Sequence, residues 1–141
     1  KEELKKKDLS KIFVTQAGYD EEIDYKIDFL VVSKDEIDVV EANKLLNEDF
    51  VNWILLTSSN LPARLLSRDG VVEIAPPDFK TINSTGAGDI TAAYIGAFGI
   101  EDVIETTKNA CAAGALLAGS SKFPSLTKIK EISELVEINP R

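Results

Sequence analysis

The chain has 141 residues, 44% hydrophobic and 28% charged, which leaves little room for disorder and suits one soluble domain with a real core. Its net charge of −8 gives nucleic-acid binding no electrostatic support, although backbone amides can still hold a phosphate on an acidic protein. The absence of histidine removes Ser-His-Asp and Cys-His catalysis and histidine-ligated metal sites, and the one cysteine, Cys111, sits among alanines as a small buried residue.

The N-terminal KEELKKKDLSK is charged and lacks the apolar run of a signal peptide. The longest apolar stretches are about 10 residues, too short to span a bilayer, so neither a membrane nor a nucleic acid is an expected partner and the cytoplasm is the expected location. The chain starts at Lys1 and contains no methionine, so an incomplete domain is expected.

In chain order, Lys11–Thr15 (KIFVT) is β-branched and aromatic and predicts a short strand. Asp28–Val32 (DFLVV) is almost continuously apolar, as a buried parallel strand is. Ser33 is expected to open a helix to about Leu46, with Ser33 and Glu36 as a capping box and Ile37, Val40 and Leu45 on one face. Trp53–Thr57 (WILLT) predicts a second buried strand. Ala63–Ser67 and Val71–Ala75 flank Arg68-Asp69-Gly70, a hairpin signal, and Pro76 and Pro77 end the second of these strands. Three helices are then expected: Ile90 to about Phe98, stopped by Gly99; Glu101–Ala118, rich in alanine; and Lys128–Val136. Buried strands alternating with helices argue for an α/β fold, a mostly parallel sheet flanked by helices with an antiparallel edge hairpin.

The segment with chemistry is Asn83-Ser84-Thr85-Gly86-Ala87-Gly88-Asp89, which joins an extended stretch to a helix start. Gly86, Ala87 and Gly88 keep side chains away from converging backbone N–H groups, and at a helix N-terminus those groups attract anions. A carboxylate beside that site repels phosphate, so its useful task is to take a proton from an attacking hydroxyl; as a plain helix start, Asp89 would instead favour the first turn electrostatically. The loop lacks the Gly-Lys-Ser/Thr of a Walker A motif and the full G-x-G-x-x-G dinucleotide fingerprint.

This segment resembles the second signature of the ribokinase (PfkB) carbohydrate-kinase family, a pattern close to Asp-Thr-x-Gly-Ala-Gly-Asp followed by a small-residue helix. The resemblance implies a ribokinase-like fold, with Gly86, Ala87 and Gly88 as the anion hole and Asp89 as the general base. Asn83 stands where the family usually has Asp, a departure that bears on a monovalent-cation (K⁺) site and not on the base. Asp28–Glu36 (DFLVVSKDE) resembles the segment carrying an Asn-x-x-Glu motif, with Ser33 in place of Asn; Glu36 would then organise Mg²⁺, or serve Ser33 in the capping box, or both. Trp53–Asn60 (WILLTSSN) resembles the strand and nucleotide loop Val-Thr-x-Gly, with Thr57 matching and Ser59 replacing glycine; otherwise it is a strand and a polar turn. Lys108–Ala113 (KNACAA) resembles the helix lining the adenine pocket, where Asn109, Ala112 and Ala113 would flank the base; a closely packed core helix reads the same way.

The similarity runs from about Lys11 to Pro124 and is most specific at Gly86–Asp89. It implies that residues 1–141 are the C-terminal nucleotide-binding and catalytic part of a single ribokinase-like domain. The implied activity is ATP-dependent phosphorylation of a hydroxyl on a sugar or sugar-like substrate, with ATP and Mg²⁺ as cofactors. Family members are about twice this length, with most sugar contacts and a lid in the N-terminal half; a homodimer, when it forms, usually uses that lid. Two alternatives stay open: a non-catalytic nucleotide-binding or regulatory module derived from such a kinase, and an acidic α/β interaction domain whose GAGD turn is only a helix cap.

Overall fold

The computed structural model describes residues 14–16, 27–33, 37–49, 51–58, 62–76, 86–120 and 122–140. Among them, six strands form one sheet in sequence order: β1 (Val14–Gln16), β2 (Ile27–Ser33), β3 (Val51–Thr57), β4 (Ala63–Ser67), β5 (Gly70–Ala75) and β6 (Glu137–Pro140). β1, β2 and β3 pair in parallel, and β3 to β6 pair antiparallel. The expected hairpin turns at Arg68-Asp69-Gly70 and edges the parallel strands, with β6 extending that edge.

The helices are α1 (Val39–Asn47), α2 (Ala87–Phe98), α3 (Val103–Ser120) and α4 (Leu126–Ser133). They sandwich the sheet because its strands are apolar on both faces. Leu30, Val32, Ile54, Leu56 and Leu66 pack with Ala42 and Leu46 of α1 on one face. Phe29, Val31, Leu55, Leu65 and Ile74 pack with residues of α2, α3 and α4 on the other, including Tyr94, Ile95, Ala110, Ile129 and Ile132. Each large side chain so buried is worth roughly 1.5–3 kcal/mol.

Four sequence expectations are corrected. Ser33 does not open a helix: it ends β2, paired with Thr57, and α1 starts at Val39. Its cap is Asp38, whose Oδ1 accepts from the Glu41 amide at 2.8 Å, so Ser33 is not the helix-capping residue; Glu36 lies outside the described residues. Val40 does not face the core but is 76% exposed, because the later start turns Ala42 and Leu46 inward. Helix α4 ends at Ser133 rather than Val136, and Glu137–Pro140 forms β6, where the strand-disfavouring Pro140 is tolerated on a sheet edge.

Arg68 ties the hairpin to the α1–β3 turn. Its Nη1 donates to the carbonyls of Leu46 (2.9 Å) and Val51 (3.2 Å), its Nη2 donates to Asn52 Oδ1 (3.0 Å), and Asp49 pairs with it at 3.2 Å. The Leu46 carbonyl also accepts the Asp49 amide at 3.2 Å, so the guanidinium adds a second donor at the C-terminal end of α1.

Candidate active site

The GAGD segment starts α2 one turn earlier than the apolar pattern suggests: Ala87, Gly88 and Asp89 form its first turn, and the first helical bond runs from the Ile90 amide to the Gly86 carbonyl at 2.9 Å. Gly86 is the N-cap, left-handed at φ 83° and ψ −6°, and supplies no side-chain acceptor. Side chains cap the other three helices: Asp38 caps α1, Asp102 accepts from the Glu105 amide at 3.3 Å at the start of α3, and Ser125 caps α4 by accepting from the Lys128 amide at 3.1 Å. A left-handed residue followed by helical ones aims successive N–H groups to one side, and the helix dipole adds positive potential there. The Asp89 side chain is exposed, so an incoming hydroxyl can reach its carboxylate.

This turn rests on α3. The Thr91 hydroxyl, almost fully buried, donates to the Ala87 carbonyl at 2.8 Å and lies 3.4 Å from the Ala110 carbonyl. Gly114 packs against the same turn, and a Cβ on Gly86 would lie 3.5 Å from Leu117 Cδ2. The supporting face of α3 is therefore Ala110, Gly114 and Leu117. Thr91 and Gly114 escaped sequence reasoning; the signal that could have found them is the four-residue spacing of Ala110 and Gly114, which lets two helices approach closely.

The remaining expected residues lie elsewhere. Thr57 ends β3 beside Ser33 at the carboxyl end of the parallel pair, and its hydroxyl points to the Val32 carbonyl at 3.4 Å. Strand alternation puts Ser33 and Thr57 on the face that carries Val31 and Leu55, the side of the sheet covered by α2. In open α/β sheets this carboxyl end is where ligands bind. Asn109 is buried, and its Oδ1 has no hydrogen-bond partner among the described residues. Ala112 and Ala113 are fully buried in the larger apolar cluster, where they pack. Glu36, Ser59 and Asn83 lie outside the described residues.

Cys111 is buried, and desolvation pushes its thiol up to about 12, so it stays protonated and inert at neutral pH, as its alanine-rich setting led one to expect. Tyr94 stacks on Phe98 with ring centroids 4.4 Å apart; burial first, then the nearby Glu105 carboxylate, raise its pKa. Among the described residues no group of three or more Asp, Glu or Cys side chains could hold a metal ion, and no helix is long and apolar enough to cross a membrane. Mg²⁺ at a phosphate site needs no such cage, because one or two carboxylates, water and the phosphates themselves complete its shell. The first turn of α2 fits the phosphate part of such a group.

No protein-family model and no curated protein matches the sequence. Solved structures do match the fold. A proposed phosphofructokinase from Staphylococcus aureus superposes with a TM-score of 0.72 at 19% identity, covering 84% of this chain and 44% of that one. Phosphofructokinase-2 from Escherichia coli, in complex with substrates and products, gives 0.68 at 16% identity, covering 79% and 41%. A proposed ribokinase II from E. coli, in complex with ATP and Mg²⁺, gives 0.66 at 20% identity, covering 77% and 40%. The fold is ribokinase-like. This ribokinase-like chain spans less than half the length of each of these structures.

Proposed function

We propose that this chain is the C-terminal nucleotide-binding and catalytic part of a single ribokinase-like domain in a PfkB-type carbohydrate kinase, which transfers a phosphoryl group from ATP to a hydroxyl of a sugar or sugar-like molecule. The observation that carries the reading is the first turn of α2: a left-handed, side-chain-free cap at Gly86, followed by Ala87 and Gly88, and an exposed carboxylate at Asp89. Phosphoryl transfer to an alcohol needs an anion hole beside a base.

In this mechanism Asp89 takes the proton of the substrate hydroxyl as its oxygen attacks. The amides of the Gly86–Gly88 turn donate to the phosphoryl oxygens, whose charge grows during transfer. Thr57, at the carboxyl end of β3, and Ser59 beyond it would contact the nucleotide. Asn109 would offer its unpaired Oδ1 to the base, and Ala112 and Ala113 would back that pocket through movement of their neighbours. Glu36 would hold Mg²⁺ through water; bound Mg²⁺ neutralises triphosphate charge, and K⁺ is a further candidate near Asn83. The sugar is an expected partner, the cytoplasm an expected location, and a homodimer an expected assembly.

The test uses the complete protein containing this chain, with ATP, Mg²⁺ and a panel of sugars. Sugar-dependent ADP release supports the reading. ATP binding by calorimetry with no turnover across the panel would favour a non-catalytic nucleotide module, and no affinity for ATP or phosphate would leave the GAGD turn as a helix cap. The 141-residue chain alone is expected to turn over poorly, because substrate positioning supplies much of the rate.

A further inference from the structure

The contact between α2 and α3 is closer than packing alone requires. A Cβ on Gly114 would lie 2.6 Å from Thr91 Oγ1 and 3.3 Å from the Ala87 carbonyl oxygen. The first distance is one that real Cβ atoms do not reach, and the second involves backbone, which has no rotamer to change. Thr91 itself cannot turn away freely. It is 4% exposed, and its hydroxyl would lose the Ala87 carbonyl, its 2.8 Å acceptor, and keep only the longer 3.4 Å contact to the Ala110 carbonyl. The displaced element in either case is the first turn of α2, because Ala87 belongs to it and Asp89 lies two residues before Thr91.

We propose that Thr91 and Gly114 are positioning residues, and that together they fix where the Ala87 and Gly88 amides and the Asp89 carboxylate stand. Gly114 leaves the space that the Thr91 hydroxyl occupies, and that hydroxyl fastens the Ala87 carbonyl from the α3 side. The Ala87 carbonyl thereby accepts both the Thr91 hydroxyl and the helical Thr91 amide, which holds the turn at one orientation. The inference rests on the kinase reading for its consequence but not for its geometry. Displacing such a turn by a fraction of an ångström disturbs alignment in the transition state more than binding of either substrate, so kcat should respond before KM.

The test compares Thr91→Val, Thr91→Ser and Gly114→Ala in the complete protein, with Ile95→Val as a control. Ile95 is fully buried in the second half of α2, away from the first turn. Thr91→Val preserves shape and removes the hydroxyl; it is expected to lower kcat roughly 10- to 100-fold with KM for ATP and sugar within about twofold. Thr91→Ser restores the hydroxyl and should restore kcat, Gly114→Ala should fall with Thr91→Val, and Ile95→Val should lose stability while keeping kcat. Folded Thr91→Val with kcat within about twofold of wild type, or rates that merely follow stability as in Ile95→Val, overturns the inference. If the wild type phosphorylates nothing, the kinase reading fails and the backbone amide shifts of Ala87 and Gly88 decide the positioning. Shifts that move in Thr91→Val and return in Thr91→Ser support it; shifts unchanged in both overturn it.

Discussion

The layer under α1 and the contact between α2 and α3 are held by opposite means. Under α1, bulky aliphatic side chains do the work: Leu30, Val32, Ile54, Leu56 and Leu66 enclose Leu46, and Arg68 closes the end of the layer. Between α2 and α3, smallness does it: Gly114 and Ala110 let two helices approach closely, with the Thr91 hydroxyl between them. The layer under α1 tolerates loss of volume poorly because a cavity there collapses only in part. The contact between α2 and α3 tolerates gain of volume poorly because there is no space to give. The first turn of α2 is therefore placed by close backbone approach at Gly114, and α1 by large side chains.

Substitutions can break or sharpen that contrast. The largest loss of stability is expected for Leu46→Ala, about 2–5 kcal/mol by urea unfolding, since this buried leucine has no means of replacement. Ala110→Val should cost about 1–3 kcal/mol by crowding a fully buried position on α3, whereas enlargement at exposed Val40, written Val40→Leu, should stay within about 0.5 kcal/mol. Equal costs at the two sites would erase the contrast. Asp38→Ala removes the cap of α1 and should cost about 1 kcal/mol without altering any rate measured at the α2 turn.

One further effect is absent at neutral pH and shows only in alkali. The Cys111 thiol has a raised folded pKa, so its contribution to stability is complete below the unfolded value near 9 and is lost as pH rises toward the folded value of about 12. Melting temperature should therefore fall over that alkaline window, and Cys111→Ala should flatten the fall. Tyr94, also raised, should leave a residual slope of the same sign. A Cys111 that reacts with a thiol reagent at neutral pH as fast as a free cysteine would contradict its burial.

Much of this was legible beforehand for a physical reason. DFLVV and WILLT are apolar on both faces, and only a sheet covered on both sides uses such strands. Asp69-Gly70 fixed the hairpin for the same local kind of reason. The start of α1 was misplaced because Ser33 and Asp38 are both good caps, and the choice between them was made by the ladder that pairs Ser33 with Thr57, a contact from 24 residues away in the sequence. β6 was missed because EINP gains its strand character only from the β5 edge it joins. At the site, Gly86–Asp89 was legible from local backbone needs. Thr91 and Gly114 were not, because their role exists only once α2 and α3 lie together.

The central claim is that Asp89 is the base of a phosphoryl transfer at the first turn of α2. Its most direct test is Asp89→Asn in the complete protein, with kcat, nucleotide affinity and melting temperature measured together. Asp89 is exposed and accepts no side-chain or backbone hydrogen bond among the described residues, so the fold should lose no more than about 1 kcal/mol of helix-dipole stabilisation. The account predicts a fall in kcat of roughly 10²–10⁴-fold with ATP affinity retained. Unchanged turnover in the folded variant would contradict it and remove Asp89 from the chemistry.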